Sequence, residues 1–535
     1  MISIGQQLIK QLQHYGVDSV FGIPGVHTME LYRGLAAAAI QHISPRHEQG
    51  AGFMADAYAR VTGKPGVCLV ITGPGLTNIA TAMGQALADS IPMLVISTVN
   101  PKGTENLGCL HAMPRQQEMI KPLTVATFEL KAGDCIEVIM AQVFAALSPE
   151  HGNQLGPVHL QVALDVIGQP AQDKPVGQRL AALPGLCSTL NEVARQALHQ
   201  AADLINQNRH IVVLAGGGAT RSQVVIQQLA QTLDAPVVTT INGRGLMAQQ
   251  PLSVPASPSL QAVRALLAAA DCVIAVGTEM GQTDFDMYVD NQFPCLANLI
   301  RIDINPNQLQ HEDQLGIHAD ASLALNYLLP LLMPKDPLTV QGEGRARKVR
   351  QQVCAEMPAN YQRQHAFLQH IVAALPDAII VGDSTQPVYA GNTYFEASAP
   401  GAWFNSATGF GTLGYAVPAA IGAALGQQSI GAKKPVVAIT GDGGLQFCVA
   451  ELATARDVGL PIIYIVWNNQ GYGEIETSML AVGVTPVGVS PKPPALATLA
   501  QAYALPYLGI DNPDSLIGAL RHYSQGTSPV ILEVN

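Results

Sequence analysis

Apolar residues along the chain fall into short continuous runs, separated by stretches in which they recur every three or four positions. Gly66–Thr72 (GVCLVIT) and Met93–Thr98 (MLVIST) are runs of the kind that parallel strands show when both faces of their sheet are covered. Between them, Leu76–Asp89 has helical spacing. The alternation returns with runs at His210–Leu214, Pro236–Thr240, Cys272–Val276 and Leu299–Ile304. It returns once more at Ala378–Val381, Pro435–Thr440, Pro461–Val466 and Val530–Val534. Strands alternating with helices predict an α/β chain of three domains, each a mostly parallel sheet flanked by helices. The pattern places them at residues 1–168, 188–333 and 355–535. Gly168–Cys187, rich in Pro, Gln and Gly, and Pro334–Arg350, which opens on proline and turns basic, read as linkers.

A length of 535 residues also calls for about three cores rather than one. Hydrophobic residues make up 48% and charged residues only 13%, which predicts extensive burial between subunits. The formal net charge of −11 argues against a nucleic-acid partner, which a basic face would serve. No apolar run reaches the ~18 residues that cross a bilayer. Met1–Gly16 reads as an amphipathic helix, not a signal peptide, so a cytoplasmic location is expected. Eight cysteines without a CxxC pair suggest neither a zinc site nor a disulfide framework.

The sharpest chemical signal is a strand–helix–strand unit. The run PVVAIT leads into Gly441-Asp442-Gly443, Leu445–Asp457 has helical spacing, and PIIYIVW leads into Asn468-Asn469. A right-handed crossover brings both strand ends to the same carboxyl edge, where α/β sheets bind ligands. Magnesium takes oxygen ligands, typically a carboxylate together with phosphates and carbonyls. Asp442 offers the charge, Asn469 a neutral oxygen and Gly471 a backbone carbonyl. Gly441, Gly443 and Gly444 let backbone N–H groups approach a diphosphate at a helix N-terminus. Gly-Asp-Gly alone is as readily a strand-end turn. The Asn pair at this spacing separates the two readings.

In these motifs the chain resembles the thiamine-diphosphate enzymes of the acetolactate synthase and pyruvate decarboxylase superfamily, along essentially its whole length. The resemblance implies pyrimidine-binding, central and diphosphate-binding domains, with thiamine diphosphate and Mg²⁺ as cofactors. It implies active sites between the pyrimidine domain of one subunit and the diphosphate domain of another, hence a homodimer or homotetramer. Arg46-His47-Glu48-Gln49-Gly50-Ala51-Gly52 precedes the helical stretch Phe53–Arg60. By resemblance, Glu48 hydrogen-bonds the aminopyrimidine ring and promotes loss of the thiazolium C2 proton. That task needs a carboxyl group in dry surroundings, able to share a proton. Read alone, Glu48 would be a helix N-terminal carboxylate favoured by the dipole. Phe21–Gly25, with Pro24 and Gly25, and Thr72–Asn78, with Asn78, match loops that face the pyrimidine. Gly409–Gly414 supplies Gly411 and Leu413, the latter matching the apolar residue that bends the thiamine. Asp383–Gln386, with Thr385 and Gln386, matches a segment that helps hold the diphosphate, and Ile475 lies in the segment beside the cofactor.

Three departures bear on the reaction. Acetolactate synthases carry a Phe-Gln pair where this chain has His111 and Ala112, so the glutamine that assists ligation is missing. Their flavin-binding central domain has an arginine-rich turn, whereas Gly277–Asp284 (GTEMGQTD) has no arginine, and Gly216-Gly217-Gly218 is a poor dinucleotide fingerprint. FAD is therefore not expected. Third, Gly471–Glu476 (GYGEIE) puts Glu474 where synthases have an apolar residue. GYGEI and the stretch GTEMGQTDFDMY look like the branch that decarboxylates 5-guanidino-2-oxopentanoate. A carboxylate there can grip a guanidinium through paired hydrogen bonds, although Glu474 equally suits a solvated helix position. His27 and His111 are candidates for the proton delivered after CO2 leaves, and each also suits a structural role. The expected activity is non-oxidative decarboxylation of a 2-oxo acid to an aldehyde. Acetolactate synthesis is the alternative within the class, and a non-catalytic cofactor-binding regulator the alternative outside it.

Overall fold

A computed structural model describes residues 2–149, 154–171, 189–285, 296–310 and 314–535. The first sheet contains β1 (Ser19–Gly22), β2 (Gln41–Ile43), β3 (Gly66–Val70), β4 (Met93–Val99), β5 (Ala126–Leu130) and β6 (Pro157–Ala163). Their order is β2-β1-β3-β4-β6-β5, with parallel neighbours throughout. The second contains β7 (Ile211–Ala215), β8 (Val237–Thr239), β9 (Ser253–Val254), β10 (Cys272–Val276), β11 (Leu299–Asp303) and β12 (Gln314–His318). Its order is β12-β11-β10-β7-β8-β9. The C-terminal part adds β13 (Ile379–Gly382), β14 (Trp403–Asn405), β15 (Val436–Gly441), β16 (Ile462–Trp467), β17 (Tyr507–Ile510) and β18 (Val530–Val534). Every residue of β3, β7, β10 and β16 is buried, which is why these strands read as unbroken apolar runs. The α/β class and the parallel sheets expected from the sequence are present.

The chain forms two compact units. One comprises residues 1–186, 410–509 and 522–535, the other residues 187–409 and 510–521. In the first unit β15, β16 and β18 pair in parallel, Gly441 lying opposite Trp467. The helix Glu48–Thr62 packs against the helix Ala416–Ser429, so closely that a Cβ on Gly422 would lie 2.0 Å from the Met54 carbonyl oxygen. Buried charges fix the same helix. Arg60 pairs with Asp56 at 2.7 Å and with Asp89 at 2.6 Å, and the Tyr415 hydroxyl donates to Asp56. Such pairs are kept because removing one partner strands the other. In the second unit β7, β10 and β11 carry a core of Val213, Ile274, Val276 and Ile302.

Two readings need correction. The basic stretch read as a linker is mostly the helix Gly342–Glu356. Ala346, Val349 and Val353 form a narrow buried stripe, and the Arg, Lys and Gln between them are good helix formers. The stretch Leu445–Asp457 is two helices, Asp442–Phe447 and Glu451–Val458, broken at Cys448, which leaves helical dihedrals at φ −132°. Of the other linker, residues 172–187 lie outside the described residues, as do 286–288 of the stretch after β10. Among the described residues no helix is long and apolar enough to cross a membrane.

Candidate active site

Glu48 is the first residue of its helix, and the N-cap His47 accepts from the Gln49 backbone N–H through Nδ1 at 3.1 Å. Glu48 is 8% exposed. Asn78, in the helix Pro74–Ala88, donates to Glu48 Oε2 at 2.9 Å. One carboxyl oxygen is thus held by a neutral donor in dry surroundings. In the same unit, the His27 and His111 rings meet edge to face with centroids 5.2 Å apart. Burial, then the neighbouring His111, pushes the His27 imidazole below the usual range, and its buried Nδ1 has no hydrogen-bond partner among the described residues. His111 sits in the left-handed region at φ 56°, with its carbonyl against the Gly73 turn that opens the Asn78 helix. Pro24 and Gly25 lie on the β1 loop, where Thr28 Oγ1 accepts from the Gly25 N–H. Ala112 is exposed.

At the carboxyl ends of β15 and β16 the two asparagines take different tasks. Asn468 donates to Glu533 Oε1 at 2.6 Å and accepts from the Gln470 N–H, so its work is structural. The side-chain oxygen of Asn469 lies 2.8 Å from the Gly471 carbonyl oxygen and 3.1 Å from Asp442 Oδ1. Asp442 is 1% exposed. Burial pushes its carboxyl up, against backbone N–H groups of Asp442 itself, Asn469, Gly443 and Gly471 that pull it down. Its Oδ2 has no partner among the described residues. With the Asn469 oxygen turned toward them the three acceptors repel one another unless a cation stands among them, whereas with the amide nitrogen there it donates to both. Neighbouring oxygens of an octahedral Mg²⁺ shell lie about 3 Å apart, so the set fits that ion as it stands. Turning the Asn469 amide would satisfy the group without a metal, at the loss of one ligand. Glycine is required at 471, where a Cβ would lie 2.4 Å from the Val489 carbonyl oxygen. Among the described residues no group of three His, Cys, Asp or Glu side chains competes for a metal.

Gly441, Gly443 and Gly444 lie at the turn from β15 into its helix. Gly411 and the half-buried Leu413 lie in the loop before the helix Ala416–Ser429. Glu474 is half-buried in the first turn of the helix Gly473–Ala481, followed by the exposed Ile475. Among the described residues no ion pair holds the Glu474 carboxylate. Glu476 instead lines an open cavity of about 560 Å³ with Pro486, Gly488, Val489, Ser490 and Pro491. In the second unit Thr385 is the buried N-cap of the helix that Gln386 begins. There too, the Gly218 N–H donates to the Gly277 carbonyl at 2.9 Å, closing the turns after β7 and β10 upon each other.

Two residues escaped the sequence reading. Glu451 is 1% exposed; burial pushes its carboxyl up, while Thr454 and the backbone amides of Arg46 and His47 pull it down. Arg46 donates to Thr454 Oγ1 at 3.4 Å and to Asp457. The available signal was a carboxylate on the buried face of the helix Glu451–Val458, beside Leu452, Thr454 and Ala455.

Three family models match the chain: the N-terminal TPP-binding domain of thiamine pyrophosphate enzymes at residues 2–119, their central domain at 198–328 and their C-terminal TPP-binding domain at 383–534. A protein of Pseudomonas aeruginosa described as "Probable 2-ketoarginine decarboxylase AruI" is 40% identical over 510 residues, covering 94% of this chain and 88% of the relative. The acetolactate synthase isozyme 1 large subunit of Escherichia coli is 30% identical over 479 residues, covering 87% and 81%. In fold, the chain is similar to an X-ray structure described as "a putative thiamin diphosphate-dependent enzyme isolated from Mycobacterium smegmatis", with a TM-score of 0.82, 23% identity and 99% of each chain covered. The glutamate turn, the oxygen triad and these matches agree, and the chain belongs to the thiamine pyrophosphate enzyme family.

Proposed function

We propose that this enzyme catalyses the Mg²⁺- and thiamine-diphosphate-dependent, non-oxidative decarboxylation of a 2-oxo acid to an aldehyde and CO2, with 5-guanidino-2-oxopentanoate as preferred substrate. The observation that carries decarboxylation over ligation is the His27–His111 pair, with the His111 carbonyl against the Gly73 turn that opens the Asn78 helix. A decarboxylase must return a proton to carbon, and two imidazoles in contact can hold and pass one. The exposed Ala112 offers no amide to orient a second 2-oxo acid. The Pseudomonas relative supports the same reaction and a substrate with a guanidinium tail. The synthase relatives support ligation instead.

Bound thiamine diphosphate supplies a thiazolium carbon nucleophile that takes up the electrons released with CO2. Asp442, Asn469 and the Gly471 carbonyl would hold the Mg²⁺ that anchors the diphosphate, and Leu413 would support the bend of the thiamine. Asn78 occupies Glu48 Oε2 and leaves Oε1 to exchange a proton with the aminopyrimidine. Glu474, which has no ion-pair partner among the described residues, would meet a cationic tail. Exposed Ile475, Leu480, Val482 and Val487 around its helix support a homo-oligomer in which another copy covers this face.

Incubation with a panel of 2-oxo acids should yield 4-guanidinobutanal from the guanidino acid. Efficient conversion of pyruvate to acetolactate, with the guanidino acid ignored, would overturn the reading. Glu474→Gln should lower kcat/KM for the guanidino acid by roughly tenfold or more, because hydrogen bonds to charged groups contribute about 1.5–3 kcal/mol. Pyruvate, which has no tail, should be little affected. If Glu476→Gln has this effect instead, the tail lies in the cavity of Glu476. Equal loss of both substrates in Glu474→Gln would make Glu474 a proton donor.

We further propose that the central domain works without flavin. The mutual closure of the Gly216–Gly218 and Gly277 turns supports this, as does Arg301, whose guanidinium donates to the Thr278 carbonyl. The purified enzyme should be colourless and fully active without added FAD. A yellow preparation with stoichiometric FAD is the contrary result.

A further inference from the structure

We propose that Glu451, nine residues beyond Asp442 in sequence, is a positioning residue for the activating carboxylate, holding the turn that delivers Glu48. The inference rests on Glu48 being the proton partner of the cofactor. Glu451 Oε1 accepts from two successive backbone amides, those of Arg46 at 2.9 Å and His47 at 3.0 Å. Both precede the helix that Glu48 begins, so neither has an acceptor inside it. Glu451 Oε2 accepts from Thr454 Oγ1 at 2.6 Å, which locks the carboxylate on its own helix. The fit is close on the other side too, since a Cβ on Gly50 would lie 2.4 Å from Oε1. Arg46 repeats the connection with its side chain, donating to Ser44 O at 2.8 Å and reaching Thr454 and Asp457.

A carboxylate that accepts two amide protons while itself buried gives short, charge-assisted bonds on a rigid element. Its removal would leave two amides and the Thr454 hydroxyl without their acceptor, and the turn would relax toward other partners. Glu48 starts immediately after that turn, so its Oε1 would move relative to any group it exchanges a proton with. Asn78 alone would then hold the carboxyl group. Glu451 touches no reacting atom in this account; it acts through Glu48.

The test is proton exchange at C2 of bound thiamine diphosphate, followed by NMR after transfer of the holoenzyme into D2O. Glu451→Ala should slow exchange by roughly 10–100-fold, the range seen when an orienting partner is lost from a site, with cofactor affinity within a few-fold of wild type. Glu451→Gln should recover most of the rate, because its amide oxygen can accept both backbone N–H groups while its NH2 donates to Thr454. The double variant Glu48→Gln/Glu451→Ala should exchange no more slowly than Glu48→Gln alone. Should Glu451→Ala not fold, Glu451→Asp, one methylene short of the turn, carries the same expectation. Wild-type exchange in the folded Ala or Asp variant, or additive losses in the double variant, overturns the positioning role. Wild-type exchange in Glu48→Gln overturns the reading of Glu48 instead, so the two failures are told apart.

Discussion

Asp442→Ala is expected to abolish turnover together with retention of thiamine diphosphate and Mg²⁺. In the three-oxygen set only Asp442 carries a formal charge; Asn469 and Gly471 contribute neutral oxygens. A divalent ion beside a diphosphate needs that charge, and two neutral oxygens do not replace it. The loss of affinity should exceed the ~10–100-fold that removal of an outer partner costs at metal sites. A second observable separates this from general damage. Asp442 Oδ2 is buried without a partner among the described residues, an arrangement unfavourable to the ligand-free protein. The variant without ligands should therefore melt no lower than wild type, while the rise in Tm that cofactor and Mg²⁺ give to wild type should vanish. Calorimetry showing unchanged cofactor affinity would defeat the assignment.

The juxtaposition of Asp442 and Asn469, proposed above to hold Mg²⁺, was legible because it is local. Asp442 and Asn469 sit at the ends of two neighbouring strands joined by one crossover, and the register that brings Gly441 opposite Trp467 follows from that connection. Glu48 was legible by resemblance, and the structure adds what composition lacked, namely that Asn78 holds one of its oxygens. The part played by Glu451 was not legible. Its contacts to Arg46 and His47 join residues 405 and 404 positions apart, and no periodicity encodes such a pairing. The meeting of His27 and His111 is of the same kind. The two misread stretches failed for local reasons. The Gly342–Glu356 helix hides a narrow apolar stripe among Arg, Lys and Gln. The break at Cys448 has no Pro or Gly at the break itself to announce it.

Replacing Glu48 by glutamine should leave the cofactor bound and remove about 10²–10⁴ of the rate, the usual size of a general acid–base contribution. The substitution preserves shape. Its amide oxygen can still accept from Asn78 Nδ2, where Glu48 Oε2 does now, so the surroundings have no reason to collapse. What changes is the atom that replaces Oε1. An NH2 group donates permanently and cannot take up and return a proton, so the group can bind the aminopyrimidine without exchanging a proton with it. Alanine would be a poorer probe, since it also opens a void and leaves Asn78 without its acceptor. The expected signature is thus the inverse of that of Asp442→Ala: cofactor affinity by calorimetry close to wild type, kcat reduced by orders of magnitude. If Glu48→Gln instead turns over at a near-normal rate, another group activates the cofactor. The imidazoles His27 and His111 would then be the first to replace.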